Sequence, residues 1–254
     1  MTTAFASLKL SAGVPGLLAL HAHDGVPTPY RRLPSPWGAL AVARGARLHV
    51  AGAAGRAAAE PRVTLHVAGG AWADCRPAPG GCGHLIAVLE PWTAAALARR
   101  GLDPDVKRDL AQLAGADDDE AALRRLEAEI GRLVPRDPDA ELLALAMQLF
   151  EEAGAGAVSR RLGGSRALRD AFHREFGMTP KVWARLCRFS ADLKQLHGRP
   201  WTGQDQQAPD HFDQSHRIRE FRAWAGMTPV AYRTRVQGSA RVWSVPLSPR
   251  AAPA

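Results

Sequence analysis

The feature that most restricts the fold of this 254-residue sequence is a pair of similar twelve-residue segments. FHREFGMTPKVW occupies residues 172–183 and FRAWAGMTPVAY occupies residues 221–232, a constant offset of 49. Each copy contains Gly-Met-Thr-Pro. Glycine ends helices in the left-handed conformation, whereas threonine caps a helix and proline fits its first turn. The repeat therefore predicts, twice, a helix that ends where the next one begins.

Helical periodicity continues on both sides of the two copies. It predicts a helix capped by Asp139 and further helices at 157–163, 165–177, 179–198, 213–226 and 228–236. The first copy is expected to bury one face of 165–177, and the second copy to turn inward Ile218, Phe221 and Trp224 or Ala225. A helix at 157–163, a Gly-Gly turn and a second helix predict a helix-turn-helix unit, whose second helix can enter a DNA major groove.

The segment between the two copies is long enough to act as a spacer. About 20 helical residues extend about 25 to 30 Å, which is comparable with the roughly 34 Å of one turn of duplex DNA. Two recognition helices on such a spacer could enter successive major grooves on the same side of the duplex.

Charge is divided unequally along the chain. Residues 154–254 contain 17 Lys or Arg against 7 Asp or Glu, a net of +10, whereas residues 1–153 contain 16 against 18, a net of −2. A basic region next to a near-neutral one indicates a module that binds a polyanion, although a solvated basic surface is the simpler alternative.

The first part of the chain has a different pattern. Short apolar runs separated by Gly or Pro, at 39–43, 47–52, 62–70 and 84–90, predict a small, mostly antiparallel sheet. After Pro91 the spacing predicts helices at 92–101 and 117–134, and the sequence RDPDA marks a boundary at 136–140. We therefore predict an α+β protein with a β-rich domain at 1–136, an all-α domain at 137–236 and a flexible tail at 237–254.

Two longer stretches of the helical region resemble a known family. GMTPKVWARLCRF and FDQSHRIREFRAWAGMTPVAYR are similar to the signature phrases of the AraC-type transcription regulators, over about two fifths of the chain. The resemblance implies two helix-turn-helix units joined by a long helix, with double-stranded DNA as the partner. It also implies a sensor-like N-terminal half that binds a small-molecule effector or a second copy of the chain, and RNA polymerase as a further partner.

The resemblance and the exposed faces of the predicted helices select the candidate site residues. Base contacts are assigned to Arg166, Ala167, Arg169, Asp170, Ser215, His216 and Arg219. Phosphate contacts are assigned to three cations of the long helix, Lys181, Arg185 and Arg188.

The second unit departs from the family pattern. TGQDQQAPDH at 202–211 stands where the family has an apolar short helix, and Arg217 stands where it has a core leucine. We therefore expect the second unit to be held less firmly than the first.

Other classes of protein are less well supported. The sequence contains no P-loop, GxSxG or HExxH motif, so we expect no enzyme activity and no cofactor. Three cysteines without a CxxC pair indicate reduced thiols, with a thiol switch of Cys75 and Cys82 as the alternative. No metal site is expected, although His21 and His23 form a His-x-His pair. We expect a cytoplasmic protein without a membrane segment. The alternative to DNA binding is a function as a helical protein-interaction module.

Overall fold

The computed structural model of the chain describes residues 5–8, 14–26, 28–52, 55, 57–134, 139–152, 165–197, 211–236 and 244–246. These residues form strands in the first third of the chain and helices after it, apart from one short strand near the carboxyl terminus. The predicted α+β class, with a β-rich half followed by a helical half, is confirmed. The boundary at 136/137 stays a prediction, because residues 135–138 lie outside the described ranges.

The first sheet, sheet 1, is fully antiparallel. Its strands in spatial order are β1 (Phe5–Leu8), β2 (Leu17–Val26), β9 (Cys82–Leu89), β4 (Gly38–Gly45) and β7 (Val63–His66). In β4 and β9, Leu40 is paired with Ala87 and Val42 with Leu85. Alternate residues of a strand point to the same face, so these four side chains form one buried apolar surface.

The second sheet, sheet 2, is also antiparallel. Its strands in spatial order are β10 (Ser244–Pro246), β3 (Tyr30–Arg32), β8 (Ala73–Pro77), β5 (Leu48–Gly52) and β6 (Ala57–Ala59). Leu48 and Cys75 of this sheet pack with Cys82 of sheet 1 in a small buried cluster. The two sheets therefore face each other across that cluster.

Three helices cover the other face of sheet 1. They are α1 (Pro91–Arg100), α2 (Pro104–Gln112) and α3 (Asp119–Leu133). The side chain of Asp118 caps α3 by accepting hydrogen bonds from two amide groups of its first turn at 2.9 and 3.3 Å. Leu123, Leu126 and Ile130 are fully buried against the sheet, as their spacing predicts.

The helical half contains α4 (Ala140–Glu152), α5 (Arg166–Phe176), α6 (Pro180–His197), α7 (His211–Ala225) and α8 (Pro229–Val236). Asp139 caps α4 as predicted, since its carboxylate accepts a hydrogen bond from the amide of Glu141 at 2.9 Å.

The two halves of the molecule share their hydrophobic cores. The core formed by α4, α5 and α6 also buries Ala68 and Trp92 from the N-terminal half. The core formed by α6, α7 and α8 also buries Leu33 from that half. The helical half is therefore seated on the β-rich half through apolar contacts at two places.

The carboxyl-terminal segment returns to the β-rich half. Ser244–Pro246 pairs with β3 as strand β10, which differs from the expectation of a flexible tail for these three residues. A chain that pairs its backbone groups in a sheet is held in place there. The remainder of 237–254 lies outside the described residues.

Within the described ranges, no helix combines the length and the apolar character needed to cross a membrane.

Candidate nucleic-acid interface

The two glycines of the repeat adopt the conformation that the sequence predicts. Gly177 has φ 71° and Gly226 has φ 66°, both in the left-handed region that favours glycine. Their amide groups donate to the carbonyl oxygens of His173 and Arg222 at 2.9 and 2.8 Å. Each glycine thus ends its helix, α5 or α7, in the same way.

The threonines of the repeat start the following helices. The hydroxyl oxygens of Thr179 and Thr228 accept hydrogen bonds from the amide groups three residues later, at 3.3 and 3.2 Å. Pro180 and Pro229 are the first residues of α6 and α8. The interpretation of the repeat as a fused helix end and helix start is confirmed at both copies.

Helix α5 has one buried and one exposed face. Ser165 caps it by accepting a hydrogen bond from an amide group of its first turn at 3.2 Å. Phe172 and Phe176 are buried and stacked, with ring centroids 4.2 Å apart. The four candidate base-contact residues of this helix are all exposed: Arg166, Ala167, Arg169 and Asp170.

Helix α7 presents its candidates in the same manner. Ser215, His216 and Arg219 are exposed, and the Arg219 side chain lies along its own helix, donating to the carbonyl of Ser215 at 3.3 Å. Phe221 and Ala225 are buried against α6 and α8. Exposed polar side chains on a helix with a fixed inner face are able to meet base edges in a groove.

One predicted inward residue of α7 points elsewhere. Ile218 is 39% exposed, so the expectation that it faces the core is wrong. The described part of the core against α7 begins at Phe221, one turn later, and leaves Ile218 outside it. The offset of 49 pairs Ile218 with Arg169, a candidate base contact in α5, and this pairing is the signal from which its place could have been predicted.

The cations of α6 occupy different environments. Lys181 is exposed, whereas the guanidinium of Arg185 donates to the carboxylate of Glu220 on α7 at 2.5 Å. Arg188 lies 4.0 Å from the same carboxylate, which is only 12% exposed. Phosphate contact by these three cations stays a prediction, and Glu220 is a residue of this surface that the sequence did not single out.

A second ion pair joins the same two helices. Arg217 of α7 donates to Asp192 of α6 at 2.6 Å. Arg217 is therefore accommodated at the surface, at a position where the resembled family has a core leucine. A cleft of about 300 Å³ between α6 and α7 is lined by the Arg217–Asp192 pair and by Arg188 and Glu220.

The first helix of each predicted helix-turn-helix unit is not described. Residues 153–164 and 198–210 lie outside the described ranges, and with them the predicted helix 157–163 and nearly all of TGQDQQAPDH. The helix-turn-helix assignment therefore stays a prediction.

The thiols of the protein are enclosed. All three cysteines are free and buried, and burial raises the pKa of Cys82 to about 11 and that of Cys187 to about 12. Such thiols are neutral at ordinary pH and are poor nucleophiles. A thiol switch therefore has little support from these surroundings.

A polar cluster lies between the two sheets. The guanidinium of Arg32 donates to Glu60 at 2.8 Å and lies 3.2 Å from the imidazole of His66. Burial, together with the charge of Arg32, lowers the pKa of His66 to about 3, so this imidazole is neutral. Among the described residues, no group of three or more His, Cys, Asp or Glu side chains could hold a metal ion.

The sequence and the fold were compared with those of known proteins. No family model matches the sequence, and no curated protein matches it. Among solved structures, the fold is similar to that of an apo form of ToxT from Vibrio cholerae strain SCE256, with a TM-score of 0.46 and 8% identity over 86% of this chain and 97% of that chain. The ToxT structure with bound unsaturated fatty acid gives 0.45 and 10% identity over 91% and 100%.

A third solved structure is the AraC-like transcriptional activator CuxR, with a TM-score of 0.34 and 13% identity over 74% of this chain and 80% of that chain. All three TM-scores are below 0.5, so these similarities carry no conclusion about function.

Proposed function

We propose that the protein is a sequence-specific DNA-binding transcription regulator of the AraC type. The observation that carries the proposal is the matched pair α5 and α7. Both helices end on the same Gly-Met-Thr-Pro turn, and both expose the polar residues assigned to base contact. Arginine binds guanine through two hydrogen bonds, and serine and histidine also bind base edges.

The spacing of the two helices supports reading of two neighbouring grooves. Helix α6 has 18 residues and lies between them in the chain. At 1.5 Å per residue it is about 27 Å long, which is close to the pitch of one duplex turn. We propose that α5 and α7 enter successive major grooves, each as the second helix of a helix-turn-helix unit.

The charge of the helical half supports a polyanion as partner. Its net charge of +10 over residues 154–254 contrasts with the near-neutral first half. Cations near the duplex release bound counterions, which gives affinity without sequence preference. In this proposal Lys181, Arg185 and Arg188 contact phosphates and the exposed residues of α5 and α7 contact bases.

We assign control to the N-terminal half. The cluster of Arg32, Glu60 and His66 places half-buried polar groups between the two sheets, and we propose that a small-molecule effector binds them there. The shared cores would transmit such binding to the helical half. A second copy of the chain and RNA polymerase are the further partners in this proposal, and the cytoplasm is the compartment.

The alternative function is a helical protein-interaction module. Exposed apolar side chains at Ile218 and Val230 favour it. Salt dependence separates the two functions: contacts to about 6 to 10 phosphates lower the affinity for duplex DNA roughly 10³- to 10⁵-fold between 50 and 200 mM salt. A protein-interaction module shows neither that dependence nor a preferred sequence.

The proposal is tested by recovering and sequencing genomic fragments bound by the full chain. We expect enrichment of one sequence pattern, and titration of an enriched duplex should then give the steep salt dependence above. Recovery of fragments without a common pattern at every salt concentration would contradict sequence-specific binding.

A further inference from the structure

The carboxyl-terminal end of α5 is held by an arginine of the N-terminal half. Arg99, in the last turn of α1, donates to the backbone carbonyls of Arg174 and Glu175, with the second bond at 3.2 Å. It also forms an ion pair of 3.8 Å with the Glu175 carboxylate. The last carbonyl groups of a helix lack partners within the helix and carry its negative dipole end, so a cation stabilises them.

The carboxyl-terminal end of α7 is held by a second arginine of that half. Arg31 of β3 donates to the carbonyls of Ala225 and Gly226 at 3.3 and 3.0 Å. The other side of its guanidinium forms a two-pronged pair with Asp74 of β8, at 2.6 and 3.0 Å. The guanidinium also lies over the Trp72 ring, 3.9 Å from its centroid.

The turns themselves approach the N-terminal half closely. A Cβ atom on Gly226 would lie 2.5 Å from the Arg31 guanidinium and 2.6 Å from the Trp72 ring. A Cβ atom on Gly177 would lie 3.6 Å from Ala95 of α1, an ordinary contact distance. Both Gly-Met-Thr-Pro turns therefore rest on the β-rich half, the second more tightly than the first.

The contacts of Arg31 fix the position of its guanidinium. Arg31 is 13% exposed and Asp74 23% exposed, and the planar guanidinium is fixed on two edges and one face. A bidentate pair with a carboxylate defines direction as well as distance. The tip of α7 is therefore attached to sheet 2 at one orientation.

We infer that Arg31 and Arg99 are positioning residues that fix the separation and relative orientation of α5 and α7, and thereby the spacing of the two DNA boxes that the protein accepts. This inference rests on the proposed function. In this proposal the β-rich half is a rigid support that holds the carboxyl-terminal ends of both α5 and α7. Neither arginine contacts DNA. Helix α6 alone does not define this geometry, because part of its contact with α7 consists of ion pairs.

The test begins with selection of preferred duplexes from a random library by the full wild-type chain. We expect two short boxes at one fixed separation. One base pair added to or removed from that separation shifts one box by about 3.4 Å and rotates it by about 35°. The wild-type chain should then bind about tenfold more weakly or worse.

The informative variant is Arg31→Gln, which removes the fork and the charge and leaves a shorter, uncharged polar side chain. It should bind the best duplex more weakly than wild type and lose less than about threefold when the separation changes by one base pair. Arg99→Gln should show the same tolerance to a smaller degree, because Arg99 is 45% exposed. Arg76→Gln, on the same strand as Asp74 and exposed, is the matched control and should behave as wild type.

A second measurement does not need DNA. Backbone hydrogen exchange in Arg31→Gln should rise at least about tenfold in the last turn of α7 while α5 keeps its wild-type protection. Arg31→Lys keeps the cation near Trp72 without the fork. Its exchange rate in the last turn of α7 should lie between those of wild type and Arg31→Gln.

The outcomes are distinct. If wild type selects no sequence, the proposed function fails and the inference fails with it. If wild type selects two boxes but Arg31→Gln is as sensitive to their separation as wild type, and its α7 exchange is unchanged, the inference is overturned and the proposed function stands.

Discussion

The two proposed recognition helices, α5 and α7, end in the same kind of turn but pack on the molecule in different ways. In α5, Leu168 and Ala171 pack against the core that contains Phe172 and Phe176. The offset of 49 places Arg217 and Glu220 at the matching positions of α7, where they form ion pairs with Asp192 and Arg185 of α6. Helix α5 is therefore held at these positions by apolar contacts, whereas α7 is held there by ion pairs.

From this difference we expect the second helix to depend more than the first on the N-terminal half. An exposed ion pair such as Arg217–Asp192 contributes little net free energy, and ion pairs are screened by salt, whereas burial of apolar side chains is not screened. The anchor of α7 is correspondingly stronger: Arg31 is 13% exposed, against 45% for Arg99 at the end of α5. The expectation that the second unit is held less firmly than the first stays a prediction.

The largest expected difference between the two units concerns their glycines. A left-handed residue other than glycine costs about 1 to 2 kcal/mol, and overlap in a packed site adds about 1 to 3 kcal/mol. Gly226→Ala incurs both because its Cβ atom would overlap Trp72, so we expect a loss of about 3 kcal/mol of unfolding free energy. Gly177→Ala should lose about 1 kcal/mol. Denaturant unfolding measures both variants, and equal losses would contradict the tighter seat of the second turn.

The next prediction compares the DNA contacts of the two helices. Arg166→Ala in α5 and Arg219→Ala in α7 should each lower affinity for a preferred duplex by about 1 to 3 kcal/mol if the arginine binds a base in two places. Titration of the same variants with random duplex is the control. An equal loss on random duplex would reassign that arginine to a phosphate.

A smaller effect on stability is expected from the ion pair that joins α7 to α6. Glu220→Gln removes the charge that accepts from Arg185, and hydrogen bonds to charged groups contribute about 1.5 to 3 kcal/mol, so we expect a loss of about 1 to 2 kcal/mol that decreases at high salt. Glu175→Gln in α5 is the matched change and should cost at most about 0.5 kcal/mol, because Glu175 is more exposed and lies 3.8 Å from Arg99. Thermal unfolding at low and high salt distinguishes the two, and a loss independent of salt would argue against an ionic seat.

The smallest effect concerns Ile218, which the structure places on the exposed side of α7. An apolar side chain in the major groove contacts the methyl group of thymine, worth about 0.8 kcal/mol per buried methyl or methylene group. Wild type should therefore bind a duplex with deoxyuridine in place of thymine in the second box more weakly, by about 0.5 to 1 kcal/mol. Ile218→Ala should be nearly indifferent to that replacement; equal sensitivity in both proteins would exclude the contact.

The sequence allowed the helical half to be predicted in some detail because its signals are local. Glycine, threonine and proline determine the backbone within a few residues, so both repeat turns and the cap at Asp139 were predictable. Strands β4, β5, β7 and β9 were predicted from their apolar runs.

Other features depend on contacts between distant residues and could not be predicted. Strand β2 contains His and Asp among its apolar residues, and β3 and β10 are three residues each, too short for a periodic signal. The pairing of Arg31 with the tip of α7 joins residues 195 positions apart. Nothing in the local pattern around Arg31 indicates that partner, because it is defined only when the two halves pack together.

The central claim is that α5 and α7 occupy neighbouring major grooves of one duplex. Hydroxyl-radical footprinting of the full chain on its preferred duplex tests it most directly. The account predicts two protected windows on one face of the DNA, about 10 base pairs apart. Arg166→Ala should weaken protection in one window and Arg219→Ala in the other. A single window, or loss of the same window in both variants, would contradict the account.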